Sequence, residues 1–175
     1  MFVQITQPVE TAVLSNLDIA YRLARWHFRD EREAASVVHE ASLRAFQAFT
    51  SLSTETDRVW FLRIVSRVCA ERRDRRQRAV LEPLNGEELD YPPAGSNGQD
   101  RLHLARDVME LGEAIRSLPA HLREILVLRE LEGLSYRELA DLMGVSLETI
   151  TVSLSRSRQA LGRALTELLV ACPRH

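Results

Sequence analysis

The sequence predicts an all-α protein made of two small helical domains joined by a flexible linker. Apolar residues recur at steps of three and four through most of the chain, which is the period of an amphipathic helix. The alternating pattern of a half-buried strand is nearly absent. From Val80 to Asp100 the helical period stops at three prolines and several glycines, which favours a flexible linker. We therefore expect domains at residues 1–80 and 104–175, with the linker at residues 81–103.

Three helices are expected in the first domain. They run from about Asn16 to Arg29, from Glu31 to Phe49, and from Arg58 to Arg78, and the polar stretch between residues 50 and 57 separates the second from the third. The residues expected to face inward include Leu17, Tyr21, Ala24 and Phe28 in the first helix, Val37 and Val38 in the second, and Cys69 in the third.

Composition excludes several classes of protein. The chain is 45% hydrophobic and 27% charged, as soluble globular proteins are, and no apolar run is long enough to span a bilayer. The first residues lack the basic start and apolar stretch of a secretory signal, so we expect a cytoplasmic protein. Cys69 and Cys172 are the only cysteines and form no metal-ligand pattern with histidines. No disulfide, metal or other cofactor is predicted.

Charge is unevenly distributed although the net charge is only −2. All 23 basic residues other than histidines are arginines, and five of these lie between Arg72 and Arg78. The predicted linker, by contrast, is acidic. Arginine suits phosphate binding, but a chain without lysine also fits the bias of a GC-rich genome.

The second domain is predicted to start with two helices. In the fourth helix of the chain, Leu104, Val108, Leu111, Ile115 and Leu118 form the apolar stripe. Pro119 is well placed to open a fifth helix that runs towards Glu132.

Two further helices follow with sharply defined ends. Gly133 ends the fifth helix, and Ser135 with Glu138 forms a capping box that starts a short sixth helix. Gly144 ends that helix, and Ser146 supplies the N-cap of a long final helix. A short helix, a glycine turn and a longer helix form a helix-turn-helix; a plain helical hairpin is the alternative.

The final helix leaves a small polar face for a ligand. Its inward stripe is expected to begin with Leu147, Ile150 and Leu154. Hydroxyls and a valine on the opposite face can read base edges and thymine methyls, and arginine can bind phosphates or guanine. The residues of this face are Glu148, Thr149, Thr151, Val152, Ser153, Ser155 and Arg156.

Several motifs carry a resemblance to a known family. The segments from Leu118 to Ala140 and from Arg156 to Leu161 closely resemble the fourth conserved region of extracytoplasmic-function sigma factors, which binds the −35 promoter element. The segment from Val37 to Phe46, with Trp60 to Ile64 and the arginine run, looks like the second region of that family.

The resemblance implies partners and site residues. It implies binding to core RNA polymerase, to promoter DNA and to an anti-sigma factor, without membrane insertion. The implied polymerase-binding residues are Val37, Val38, His39, Glu40 and Arg44. The implied −10 residues are Trp60, Arg63, Arg72, Arg73, Arg75 and Arg76, with the loop at residues 50–57. The implied −35 residues are Arg129, Thr151, Val152, Ser153, Ser155 and Arg156.

The chain departs from the family pattern in the helix that would read DNA. The family usually has basic residues at the positions of Thr151 and Ser153, and a small residue at Glu148. Because fewer phosphates would be neutralised, we expect weaker and less salt-dependent binding than in a typical member, or a different −35 sequence. In the second region, His39 replaces a customary glutamine and Ser36 a customary acid.

Three other functions were weighed against a sigma factor. A sigma-like decoy would bind an anti-sigma factor without engaging promoters, and the neutral recognition helix favours it. A conventional helix-turn-helix regulator lacks a recognisable sensor or dimerisation domain here. An enzyme is the least favoured reading, since the sequence has no phosphate-binding loop, nucleophile elbow or zinc-protease motif.

Overall fold

Eight helices make up the part of the chain that the structure, a computed structural model, describes: residues 6–48, 56–79 and 99–171. No strand occurs within these ranges, and the all-α prediction is confirmed. The helices are α1 (Thr6–Leu14), α2 (Leu17–His27), α3 (Glu31–Ala48), α4 (Asp57–Ala79), α5 (Gln99–Ser117), α6 (Ala120–Glu130), α7 (Tyr136–Met143) and α8 (Leu147–Ala171).

Helix α1 was not predicted from the sequence. It is short, and Pro8 lies in its first turn, where a missing amide hydrogen costs nothing. Val9, Ala12 and Val13 are buried, and the helix packs against α3 and α4. Asn16 then closes the turn to α2 by donating from its side chain to the Ala12 carbonyl at 2.7 Å.

Helices α2, α3 and α4 agree with the predicted helices to within a few residues. The buried side of α2 differs, however: Ala20, Leu23 and Ala24 are fully buried, whereas Tyr21, expected inward, is exposed. The reason is that α2 packs against α6 as well as against α3 and α4, which moves its buried side away from Tyr21. Cys69 lies in the core as expected, and burial raises the pKa of its thiol.

Helix α5 begins earlier than the sequence indicated. It starts at Gln99, within the predicted linker, because the residues after Gly98 include good helix formers and no further glycine or proline before Gly112. Val108 and Leu111 were expected inward, but Val108 is 61% exposed and Leu111 40%. Helix α5 packs mainly against α8, and from Val108 onward the buried apolar residues lie at its end: Ala114, Ile115, and Leu118 just beyond it.

The N-terminal half (α1–α4) and the C-terminal half (α5–α8) pack against each other. Helix α2 contacts α6, and α4 contacts α7. Buried residues of both halves belong to one apolar cluster, which includes Leu23 and Phe61 from one side and Leu128 and Leu139 from the other. The residues between α4 and α5, where most of the linker was predicted, lie outside the described ranges.

Candidate nucleic-acid interface

Helices α7 and α8 form the predicted helix-turn-helix. The capping box is present in both directions: the Glu138 amide donates to Ser135 Oγ at 3.1 Å, and the Ser135 amide donates to Glu138 Oε2 at 2.7 Å. The hydrogen bond from the Ser135 backbone, with a smaller contribution from the Ser135 hydroxyl, holds the pKa of the Glu138 carboxyl below its ordinary value. Gly144 ends α7 in the left-handed conformation at φ 66°, and this conformation favours glycine.

The start of α8 is fixed by Ser146, whose Oγ accepts from the Thr149 amide at 3.2 Å. Ile150 and Leu154 are fully buried and hold α8 against the core, as predicted. Leu147 was expected beside them, but it is 52% exposed, because the first residue of the helix projects beyond α7.

The opposite side of α8 is open. Thr149, Thr151, Val152, Ser155 and Arg156 are exposed there and Ser153 is half-buried, so these predicted −35 residues share one face. The Thr151 hydroxyl donates to the Leu147 carbonyl at 2.9 Å, which leaves its oxygen free to accept a further hydrogen bond. Glu148 is also exposed on this side, and we call the face formed by residues 148, 149, 151–153, 155 and 156 the recognition face.

Arg129 lies apart from the recognition face. Its Nη1 donates to the Leu134 carbonyl at 2.7 Å, and its guanidinium lies 5.0 Å from the centre of the Tyr136 ring. These contacts tie the end of α6 to the start of α7. The guanidinium therefore stabilises the helix-turn-helix. The DNA contact that the resemblance implies for Arg129 stays a prediction.

The recognition face is weakly basic, as expected from its sequence. Arg158, the next arginine along α8, donates to Glu130 Oε1 at 2.6 Å, and this bond raises the pKa of the guanidinium. Arg156 has no ion pair within the described residues and is therefore available to bind an anion.

The arginine run at the end of α4 is largely paired with acids of α3. Arg72 donates to Glu40 Oε2 at 2.9 Å and to Ser36 Oγ at 2.8 Å, and Arg76 donates to Glu33 Oε2 at 2.9 Å. Arg75 lies 3.9 Å from both Glu40 and Glu71. Sequence reasoning missed these pairs, because the register of α3 against α4 decides them.

The predicted polymerase-binding set divides into three groups. Val37 and Val38 are buried in the core and present no surface to a partner, which corrects that part of the prediction. Glu40 and Arg44 belong to the ion-pair network between α3 and α4; the hydrogen bond from Arg72 holds the pKa of Glu40 below its ordinary value. His39 is exposed.

Two exposed apolar residues of α3 were missed. Leu43 is 50% exposed and Phe46 is 44% exposed, and they follow His39 by four and seven residues, so that all three lie along one side of the helix. The spacing was visible in the sequence, but the pattern does not tell an exposed apolar stripe from a buried one.

Trp60 and Arg63, the predicted −10 residues at the start of α4, lie where the two halves meet. Trp60 is half-buried against the apolar cluster. Arg63 Nη2 donates to the Asp141 carbonyl, and its Nε lies 3.4 Å from the Leu142 carbonyl, both at the end of α7. Most of the predicted base-binding loop before α4 falls outside the described residues.

Comparisons with known proteins assign this arrangement to a family. Residues 108–161 match the family described as Sigma-70, region 4. The chain is 31% identical over 149 residues to the RNA polymerase sigma-H factor of Pseudomonas aeruginosa. The alignment covers 80% of this chain and 77% of that protein. It is 30% identical over 149 residues to the ECF RNA polymerase sigma factor SigE of Mycolicibacterium smegmatis, covering 85% of this chain and 58% of the relative.

A solved structure shares the fold. The sigma factor RpoE in complex with the anti-sigma factor NepR, from Bartonella quintana, superposes with a TM-score of 0.71 at 21% identity, over 90% of this chain and 96% of that one.

The chain has a helix-turn-helix that follows an N-terminal helical half. Its similarity to sigma factors over most of its length shows that it is an RNA polymerase sigma factor. Among sigma factors, the chain belongs to the extracytoplasmic-function (ECF) family. None of the helices in the described ranges has the length and apolar character needed to cross a membrane.

Proposed function

We propose that this chain binds core RNA polymerase in the cytoplasm and directs it to promoters, without catalysing a reaction itself. Residues 104–175 would bind the −35 element, residues 1–80 would bind polymerase and the −10 element, and the segment between them would couple two modest affinities through effective concentration. The recognition face is the observation that carries this proposal: a polar face on a firmly capped helix-turn-helix, in the segment that matches Sigma-70, region 4.

The roles of the −35 residues follow from their chemistry. In the major groove, the hydroxyls of Thr149, Thr151 and Ser155 would meet base edges, and Val152 would meet a thymine methyl. Arg156 would bind a phosphate or a guanine. Ser153 is half-buried at the edge of the face and would contact DNA only at close approach.

The N-terminal half would bind two partners on different surfaces. His39, Leu43 and Phe46 form an exposed apolar stripe on α3 that suits a helical surface of polymerase. Trp60 and Arg63 offer planar groups on which unpaired −10 bases can stack. The paired arginines, Arg72, Arg73, Arg75 and Arg76, would exchange carboxylate or imidazole contacts for DNA phosphates.

We also propose an anti-sigma partner. The sigma factor of similar fold was solved with an anti-sigma factor bound, and fold similarity over 90% of this chain supports a comparable partner here. The alternative is a decoy that binds the anti-sigma factor but no promoter, and the weakly basic recognition face is the observation that favours it.

Run-off transcription with purified core polymerase tests the proposal. We expect the chain to co-elute with core enzyme in gel filtration and to direct initiation from a subset of fragments in a genomic library. If the chain neither co-elutes with core enzyme nor directs initiation from any fragment, the decoy becomes the better description.

Adding positive charge to the recognition face gives a finer prediction. Ser153→Arg should tighten binding to a −35 duplex and steepen the slope of log affinity against log salt by about 0.9, the value for one more phosphate contact on duplex DNA. Fluorescence anisotropy over a series of salt concentrations measures the slope. Arg163→Gln on the far part of α8 is the control, and an unchanged slope in Ser153→Arg would contradict the assigned face.

A further inference from the structure

The first turn of α8 carries a carboxylate on the recognition face. Glu148 is exposed, and its side chain forms no hydrogen bond or ion pair with any residue that the structure describes. It is the second residue of α8, directly after Leu147 and two positions beyond the capping Ser146. The helix dipole favours a negative charge at this end of a helix, so the carboxylate is compatible with a stable first turn.

Glu148 begins one row of the recognition face. Thr151, Val152 and Ser155 follow it by three, four and seven residues, so all four side chains lie along the same side of α8. All four are exposed. In a helix-turn-helix, the N-terminal residues of the second helix contact base edges in the major groove. Glu148 therefore lies at the end of the recognition face that would contact bases.

Hydrogen bonds within the first turns limit what this end of the face can bind. The Thr151 hydroxyl donates its hydrogen to the Leu147 carbonyl at 2.9 Å, so it can only accept a hydrogen bond from DNA. The Thr149 hydroxyl lies 2.9 Å from Ser146 Oγ, which also accepts from the Thr149 amide. A carboxylate likewise accepts hydrogen bonds and cannot donate them. Acceptors thus predominate at the start of the recognition face.

One base matches such a surface best. In the major groove, guanine offers only acceptors, and thymine offers an acceptor and a methyl group. Adenine has a donor at N6, but its N7 acceptor lies beside that donor and repels a carboxylate. Cytosine presents its N4 amino group as a donor and has no acceptor in this groove. A carboxylate on the recognition face therefore favours cytosine over the other three bases.

We infer that Glu148 is a specificity-determining residue, which accepts a hydrogen bond from the N4 amino group of one cytosine in the −35 element. This inference deepens the proposed function and rests on it for the docking of α8 in the major groove. The carboxylate bonds to cytosine and repels the acceptor edges of the other bases, so attraction and repulsion both contribute to the preference. The negative charge lowers affinity for DNA in general and raises discrimination at one base pair.

Selection from a duplex library tests the inference with the full chain bound to core polymerase. A promoter fragment that gives a run-off transcript is randomised throughout the region upstream of its −10 element, and the bound fraction is sequenced. We expect the natural chain to prefer cytosine at one position of the selected element by about tenfold, as expected for a specific base contact.

Two substitutions remove the same charge but differ in the base that they favour. Glu148→Ala should abolish the preference at that position, because no acceptor remains. Glu148→Gln should move the preference from cytosine to adenine, because an amide can bond to N6 and N7 of adenine together. Glu167→Ala, at an exposed position near the other end of α8, makes the same change of net charge and should leave every preference unaltered.

The outcomes separate this inference from the proposed function. Loss of the cytosine preference in Glu148→Ala, with a new preference for adenine in Glu148→Gln, supports the assignment. An unaltered preference in both variants overturns the assignment and leaves the proposed function intact. An equal gain of affinity for all sequences also overturns it, since Glu148 would then be only a repulsive charge. If the natural chain selects no upstream element, the proposed role of α8 and this inference fail together.

Discussion

Ile150→Asp should lower the free energy of unfolding by about 4 kcal/mol or more, because it removes a large apolar side chain from the core and buries a carboxylate in its place. Ile150 is fully buried and belongs to the cluster shared by both halves. Urea denaturation followed by circular dichroism measures the loss. A variant that retains the stability of the natural chain would mean that α8 is rotated from the orientation described above.

Thr151→Asp is the matched control, since it places the same side chain one residue further along the same helix. Thr151 is exposed on the recognition face, so the stability should change by no more than about 0.5 kcal/mol. Affinity for a −35 duplex should nevertheless fall about tenfold through repulsion of phosphates. If DNA affinity is unaffected in this folded variant, the recognition face does not bind DNA as proposed.

Arg63→Ala should weaken both the contact between the two halves and the binding of the −10 element. Loss of its bonds to the Asp141 and Leu142 carbonyls should loosen the packing around Trp60 and increase the quenching of tryptophan fluorescence by acrylamide. Loss of a planar cation from the −10 surface should lower run-off transcript yield about tenfold, the effect expected from one stacked base.

Arg67→Ala is the control for that experiment. It lies one helical turn beyond Arg63, its side chain is 80% exposed, and its contact with Glu71 is a loose 3.8 Å. We expect little change in quenching or in transcript yield. An equal fall in transcription for both variants would indicate that general positive charge on α4, rather than Arg63 itself, supports promoter binding.

The parts of the fold that depend on local signals could be predicted from the sequence. Ser135 with Glu138, Gly144 and Ser146 each fix a helix end through bonds within a few residues, and the structure has all of them. The open face of α8 followed from the positions of Ile150 and Leu154.

The failures share a cause, which is tertiary packing. Tyr21 and Leu147 have the right spacing for a buried stripe, yet they are exposed. Neighbouring helices cover a different part of α2, and they leave the first residue of α8 uncovered. Val37 and Val38 were assigned both to the core and to a binding surface; burial allows only the first. Nothing in the sequence indicated that the two halves would share one apolar cluster.

The paired arginines of α4 also bear on how the protein would find its target among the many other sites on a chromosome. Each arginine that turns to a phosphate gives up an ion pair with a carboxylate such as Glu33 or Glu40, which offsets part of the gain. Non-specific binding to DNA depends on unpaired cations, whereas a promoter also supplies base contacts. The affinity for non-specific DNA is therefore lowered more than the affinity for a promoter. We expect the ion-paired arginines of α4 to shorten the time that the protein spends on non-promoter DNA, and thereby to raise the ratio of specific to non-specific binding.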